Sequence, residues 1–221
     1  MTRYRLAIFD FDGTLADSLP WFRGSVQGMI ERFGLAPVAP DELEGLRALT
    51  VREIMARLKV PLWRLPAIIS DMRRRKLAAA SGIPLFNGIP ALLSDMQRLG
   101  IKTAIVSSDS EASVRQVLGP SATFISGFDC GAALFGKHHK FRRVARLLGT
   151  RPTETICIGD ELRDIEAARA AGMDSGAVAW GYALPAVLQA AEPTHFFGSI
   201  EEMRSAFQAS FTSDVQSTPG E

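Results

Sequence analysis

The segment that decides the fold is residues 6–15, with the sequence LAIFDFDGTL. The apolar residues Leu6–Phe9 predict a short buried strand. Asp10 and Asp12 then follow at alternate positions, so a continued strand directs both carboxylates to one side, and Gly13 allows a sharp turn. Two adjacent carboxylates repel each other and lose hydration when enclosed, so the pair requires a shared cation or a retained proton. An aspartate-rich turn with no chemical role would have the same composition.

The composition is that of an ordinary globular protein. The 221 residues, 47% hydrophobic and 22% charged, suit one large domain or a domain with an insert. A net charge of +1 gives no electrostatic reason to expect nucleic acid or a membrane surface as a partner. Two cysteines are too few for a disulfide framework. We find no secretory signal or membrane-spanning stretch, and expect a cytoplasmic monomer or homodimer.

Residues 17–80 predict helices and no strand, which indicates an insert that does not belong to the sheet. The predicted helices cover residues 22–33, 41–47, 51–58 and 65–77. The last of them carries four consecutive basic residues, Arg73–Lys76. A basic run of this kind is typical of a solvated face, and steering of an anionic substrate is the alternative.

The rest of the chain alternates strands with helices. The predicted strands are residues 102–106, 123–127, 155–159, 175–180 and 194–197, and a terminal helix covers 200–211. This alternation predicts an α/β fold with a Rossmann-like, mainly parallel sheet covered on both faces. Asp10, Asp12, Ser107 and Asp160 all follow predicted strands. The carboxyl ends of the strands form the edge where open α/β sheets bind ligands, so we expect these side chains to meet there.

Two helix starts along this edge suit an anion. Ser107 opens a hydroxyl-rich turn before a helix, whose first amides are unpaired donors, although plain capping by Ser108 and Glu111 would give the same pattern. Lys137 and Lys140 begin another helix, where a cation opposes the helix dipole, so one of them is expected to face a negative charge. The adjacent histidines between them diverge by about 100° on a helix, and we expect no metal role.

The whole pattern resembles the haloacid dehalogenase superfamily, in its phosphatase branch, with phosphoglycolate-phosphatase-like members the most similar. The resemblance rests on DFDGTL at 10–15, Ser107, Lys137 and GDELRD at 159–164, in that order. It implies a catalytic core of residues 1–16 and 81–211 and a helical cap of 17–80. Residues 212–221 are polar, and we expect them to form a disordered tail. The family string usually has Thr-Asn where this chain has Ser-Ser at 107–108, and the proline that often follows the motif lysine is absent.

The resemblance also implies a role for each motif residue. Asp10 would be the nucleophile and Asp12 the general acid and base, with Mg²⁺ held by Asp10, the Asp12 carbonyl and Asp160. Ser107 and Lys137 would bind the transferring phosphoryl group. Further substrate contacts are expected from Gly13, Thr14 and Ser108, and support for the metal site from Glu161 and Asp164.

The expected function is a magnesium-dependent phosphatase that hydrolyses a small phosphorylated metabolite through an aspartyl phosphate. A sugar-phosphate mutase uses the same four motifs and remains an alternative. A non-catalytic protein that binds a phosphorylated ligand is the alternative from another class, although pure binding does not require an aspartate pair. A dehalogenase is disfavoured, because dehalogenases of this family lack an aspartate at the position of Asp12.

Overall fold

The computed structural model describes residues 4–39, 42–131 and 136–215, with side chains as far as residue 209. The strands are β1 (Leu6–Phe9), β2 (Lys102–Val106), β3 (Gly127–Asp129), β4 (Thr155–Gly159), β5 (Asp174–Val178) and β6 (His195–Phe197). They form one sheet in the order β3-β2-β1-β4-β5-β6, and every neighbouring pair is parallel. The predicted parallel α/β sheet is therefore confirmed, and the strand order reverses at β1, the first strand in the chain.

The helices are α1 (Leu19–Phe33), α2 (Val51–Arg57), α3 (Leu65–Ala79), α4 (Ile89–Arg98), α5 (Glu111–Leu118), α6 (Lys137–Leu147), α7 (Leu162–Ala171), α8 (Pro185–Ala190) and α9 (Ile200–Val215). Both faces of β1 are covered, because its side chains alternate between two apolar clusters. Ala7 and Phe9 pack with residues of α4, α5 and α9, while Leu6 and Ile8 pack with residues of α6 and α7. This double burial explains why β1 is apolar at every position.

The helical insert has an apolar cluster of its own. Side chains from α1 and α3, including Val26, Ile30 and Ile68, form this cluster together with Leu58. The insert begins and ends at the same place on the core, because the Asp17 amide donates to the carbonyl of Pro84 at 2.9 Å and Ala16 forms an antiparallel bridge with Leu85. The helices of the insert therefore pack beside the sheet without entering it.

The strand predicted at 123–127 is wrong. Residues Gly119–Phe124 form a 3₁₀ helix, and the chain pairs with β2 only from Gly127. The β-branched and aromatic composition favoured a strand, but Pro120 fixes its own φ and has no amide to donate. The edge strand β3 therefore starts later and is only three residues long.

Two other local predictions differ from the structure, and one helix was missed. The helix predicted at 41–47 is a 3₁₀ turn over Gly45–Ala48, and α8 was not predicted. Ser110, rather than Ser108, caps α5 by accepting from the Ser113 amide at 3.2 Å. The terminal helix continues to Val215, the tail expected from residue 212 stays a prediction, and residues 216–221 of it lie outside the described residues.

Within residues 4–39, 42–131 and 136–215, no helix combines the length and the apolar character that crossing a membrane requires.

Candidate active site

The ends of β1, β2 and β4 carry the polar side chains that the sequence placed there. Asp10 follows β1, its amide donates to Ile158 of β4 at 2.8 Å, and its side chain is buried. Ser107 follows β2, and its hydroxyl oxygen accepts from the Asp109 amide at 3.0 Å. Asp160 follows β4 and is fully buried. The parallel register brings these three positions to one edge of the sheet.

The turn after β1 is shaped around Asp160. Gly13 adopts a φ of 74°, and a methyl group on it would overlap the Asp160 carboxylate, so glycine is required both for backbone conformation and for space. The Thr14 hydroxyl donates to Oδ1 of Asp160 and the Tyr182 amide to Oδ2, each at 2.7 Å. Donors from two loops therefore orient this carboxylate.

Lys137, rather than Lys140, lies beside Asp10. Its Nζ is 3.1 Å from Oδ2 of Asp10 and 2.6 Å from Oδ1 of Asp164, in a side chain only 9% exposed. Lys140 lies one turn further along α6 and pairs with Asp129 at 2.6 Å. Burial alone would lower the pKa of Lys137, but Asp10 and Asp164 outweigh it and raise the pKa, so the lysine stays charged.

Three buried carboxylates form a group that fits a divalent cation. Oxygens of Asp10, Asp160 and Asp164 lie within 4.8 Å of one another. Burial raises the pKa of Asp160 well above its usual value, and the negative charges of Glu161, Asp10 and Asp164 raise it further. Carboxylate oxygens are the ligands that Mg²⁺ and Ca²⁺ prefer, and a cation would offset the excess negative charge here.

Most of this sequence matches one known protein family. The profile described as haloacid dehalogenase-like hydrolase matches residues 7–178, which include every motif discussed above. The chain belongs to the haloacid dehalogenase-like hydrolase family. The resemblance inferred from the motifs is confirmed, and the chain is an enzyme of the hydrolase class.

Relatives within this family carry more than one name. A phosphoglycolate phosphatase of Synechococcus elongatus is 29% identical over 177 residues, which are 79% of this chain and 84% of the relative. A tyrosine-protein kinase, PtkA of Mycobacterium tuberculosis, is 30% identical over 193 residues, 80% of this chain and 63% of that protein. The crystal structure of a predicted phosphatase from Clostridium acetobutylicum superposes with a TM-score of 0.81 at 21% identity, covering 94% of this chain and all of that one, which supports the fold.

The two aspartates of the first haloacid dehalogenase motif differ in environment. Burial alone would raise the pKa of Asp10, but Lys137 and Arg163 outweigh it and lower the pKa, so the carboxylate is ionised. The side chain of Asp12 is 25% exposed, and loss of hydration raises its pKa although Lys76 acts in the opposite direction. The two side chains are therefore suited to different tasks, one as an anion and the other as a group that can hold a proton.

Three residues that were predicted to contact the substrate form hydrogen bonds within the protein. The Gly13 amide donates to Ala16, and the Thr14 hydroxyl is used by Asp160. The carbonyl of Ser108 accepts from Arg73 at 2.8 Å. The substrate contacts expected from these three residues stay predictions.

The residues expected to support the metal site lie at the start of α7. Asp164 contacts Lys137 and also accepts from the Glu161 amide at 3.1 Å, so it caps α7 while facing Asp10. Its carboxylate is one of the three whose oxygens lie within 4.8 Å of one another, and its supporting role stays a prediction. Glu161 pairs with Arg163, whose Nη2 lies 4.0 Å from Oδ2 of Asp10.

Sequence reasoning missed two cations of the site, Arg163 and Lys76. The expectation that residues 73–76 form a solvated face is wrong for Lys76, which is 4% exposed and forms ion pairs with Asp12 and Asp109. The signal was present in the helical period, because Lys76 follows Ile68 and Met72 at intervals of four on the apolar side of α3. Arg163 lies within the fourth motif, where only the acidic residues were expected to take part in the site.

Proposed function

We propose that the chain is a magnesium-dependent phosphatase that hydrolyses a small phosphomonoester through an aspartyl phosphate on Asp10. The observation that carries the proposal is the position of Asp10 beside Lys137 and close to the carboxylates of Asp160 and Asp164, with Asp12 on the same turn. This arrangement combines a nucleophile, a positively charged lysine, a group of carboxylates that can hold a metal ion, and a second aspartate for proton transfer. The phosphoglycolate phosphatase names of several relatives support the same reaction class.

The nucleophile is Asp10. Its carboxylate is ionised and held by the Phe11 amide, which donates to Oδ1 at 2.8 Å, so Oδ2 is the oxygen that faces Lys137. Attack on phosphorus forms an acyl phosphate and breaks the bond to the leaving oxygen. Lys137 and the Ser107 hydroxyl orient the phosphoryl oxygens and stabilise their charge in the transition state.

Asp12 transfers the protons. It donates one to the leaving oxygen, which its raised pKa favours, and then accepts one from the water that hydrolyses the aspartyl phosphate. Hydrolysis releases phosphate and regenerates Asp10. Asp10, Asp160 and the carbonyl of Asp12 would hold Mg²⁺, with Asp164 a further carboxylate at the site. When bound, Mg²⁺ polarises the phosphoryl oxygens and offsets the charge of the carboxylates.

We further propose that residues 17–80 form a cap that limits substrates to small molecules. The separate apolar cluster of the insert, and the meeting of its two ends at Asp17 and Pro84, support a unit that can move relative to the core. Arg47 reaches from this insert to the carbonyls of Gly181 and Tyr182, at 3.1 and 2.9 Å. A roof over the site admits metabolites and excludes folded phosphoproteins and duplex nucleic acid.

The deciding experiment measures released phosphate from a panel of phosphoglycolate, sugar phosphates, nucleotides and a tyrosine-phosphorylated protein, with and without Mg²⁺. We expect magnesium-dependent release from one small substrate well above the rest. Asp10→Asn should lower turnover to below about a hundredth of wild type. Asp174→Asn is the matched control, because Asp174 bonds Tyr4 at the start of β5, and it should retain activity.

Other outcomes of this panel identify the alternatives. Isomerisation of a sugar phosphate without phosphate release would make the chain a mutase. Binding of phosphorylated compounds without turnover would make it a binding protein. Retained activity in Asp10→Asn would remove Asp10 as the nucleophile.

A further inference from the structure

A lysine from the helical insert contacts the proposed proton donor. Nζ of Lys76, near the end of α3, pairs with Oδ1 of Asp12 and with Oδ2 of Asp109 at 2.7 Å. The side chains of Lys76 and Asp109 are 6% and 3% exposed. One ammonium group therefore joins two carboxylates of the core, in surroundings where an unpaired charge is strongly unfavourable.

The core holds Asp109 rigidly. Its Oδ1 accepts from the Ser110 amide at 2.7 Å, its carbonyl accepts from the Gly131 amide at 2.6 Å, and its own amide donates to Ser107. These bonds fix the direction of Oδ2 toward the insert. Asp109 thus offers Lys76 a fixed anchor, whereas Asp12 lies on a turn with a partly exposed side chain.

The same turn of the core makes a second contact with α3. Arg73 donates from Nε to the carbonyl of Ser108 at 2.8 Å, three residues before Lys76 on the helix. The turn that follows β2 is therefore held against α3 at two points. This places the ammonium group of Lys76 reproducibly when the insert lies against the core.

We propose that Lys76 and Asp109 are positioning residues for Asp12: Asp109 anchors the ammonium group of Lys76, which holds the Asp12 carboxylate in place for transfer of a proton to the leaving group. The proposal rests on the proposed phosphatase function. It follows that the insert contributes to the chemistry as well as to substrate selection, because Lys76 contacts Asp12 when α3 lies against the core. Asp109 acts through Lys76 and has no separate part in the reaction.

The test compares two substrates of similar shape in the full-length protein. The leaving group of benzyl phosphate is an alkoxide that requires a proton, while p-nitrophenyl phosphate releases a stable phenolate that does not. The quantity measured is kcat/KM, since it reports transfer of the phosphoryl group to Asp10 and excludes the later hydrolysis step. Lys76→Met should lower kcat/KM for benzyl phosphate at least about tenfold more than for p-nitrophenyl phosphate, and Lys76→Arg should recover most of the loss.

Asp109→Asn should shift the ratio of kcat/KM for the two substrates in the same direction as Lys76→Met, but by a smaller factor. In the Lys76→Met background it should cause no further shift, because residues that act through one interaction are not additive. Lys140→Met, which removes the ion pair between α6 and Asp129 of β3, is the matched control and should leave the ratio unchanged. Thermal unfolding of each variant identifies loss of folding, and Lys76→Arg, which keeps the charge, provides a second reading if Lys76→Met does not fold.

Two results would overturn the proposal while leaving the phosphatase function intact. The first is an unchanged ratio in Lys76→Met, whether both substrates keep their activity or lose it equally, and the second is a full additional effect of Asp109→Asn in the double variant. A wild-type protein that releases no phosphate from any phosphomonoester would instead refute the proposed function itself.

Discussion

Two lysines one turn apart on α6 allow a matched test of the proposed phosphoryl site. Lys137 and Lys140 each pair with an aspartate at 2.6 Å, but only Lys137 also contacts Asp10, at 3.1 Å. Lys137→Met removes the cation beside the proposed nucleophile. Lys140→Met removes an ion pair of the same kind that lies away from it.

The expected magnitude follows from the distance to Asp10. Two unit charges 3.1 Å apart interact by about 5 kcal/mol at an effective dielectric constant of 20, before desolvation is subtracted. Removing one preorganised donor from a transition state typically raises the barrier by about 3 kcal/mol. We therefore expect Lys137→Met to lower kcat by about a hundredfold, and Lys140→Met by less than about threefold.

The assay is phosphate release at saturating substrate and Mg²⁺, with thermal unfolding measured on the same samples. Lys137→Met leaves three buried carboxylates without their lysine, so its stability should fall without Mg²⁺ and recover in part when Mg²⁺ is added. A loss of activity as large in Lys140→Met as in Lys137→Met would refute the assignment of the phosphoryl-binding lysine. So would wild-type turnover in a folded Lys137→Met protein.

Two further predictions concern the cation site and the stability of the core. A methyl group on Gly181 would overlap the side chain of Asp160, so Gly181→Ala and Asp160→Asn should each raise the Mg²⁺ concentration needed for half-maximal activity. Gly82→Ala is the control, because its added methyl group meets open space. An unchanged Mg²⁺ requirement in both site variants would place the cation elsewhere. Asp95→Ala should lower the free energy of unfolding by about 2 kcal/mol at neutral pH, because the buried carboxylate accepts two bonds from Arg204. Burial alone would raise the pKa of Asp95, but Arg204 and Arg98 outweigh it and lower the pKa. The stabilisation is therefore present above the pKa of about 3.9 in the unfolded chain, and it is lost as the pH falls through the lower pKa of the folded protein. In urea unfolding, the difference in free energy of unfolding between wild type and Asp95→Ala should therefore shrink below about pH 4. A difference that does not depend on pH would contradict the assignment. Glu111→Ala, which removes an exposed pair with Arg115, is the control and should have little effect.

The sequence predicted the parts of the fold that local pattern controls. The strands before Asp10, Ser107 and Asp160 were predicted because each is a short apolar run that ends in a polar turn. Strand β3 was misplaced because Pro120 starts a 3₁₀ helix inside a stretch of strand-like composition. An edge strand such as β3 has only one neighbouring strand, whereas β1 has two. The amino-acid composition of an edge strand therefore predicts its position less well than the composition of β1 does.

The missed part of the site depends on contacts distant in sequence. Lys76 is buried because α3 lies against the turn that carries Asp109, and no local pattern states which helix meets which turn. The charged run at 73–76 divides between the two sides of α3, with the Arg74 side chain 66% exposed and the Lys76 side chain 6% exposed. The composition of the run does not show which basic residue is exposed and which is buried, whereas the helical period of the apolar residues in α3 does.

The position of β1 in the sheet has a consequence for how the protein folds. During synthesis β1 emerges first, yet its neighbours are β2 and β4, with Leu6 opposite Lys102 and Thr155. The centre of the sheet therefore cannot form until a long loop has closed, and contacts of this range slow folding. The helices between β1 and β2 have short-range contacts and an apolar cluster of their own, so they can form while β1 still awaits its neighbours. Until β2 is made, the apolar strand β1 has no partner strand, and an unpaired apolar strand is open to chaperones or to aggregation.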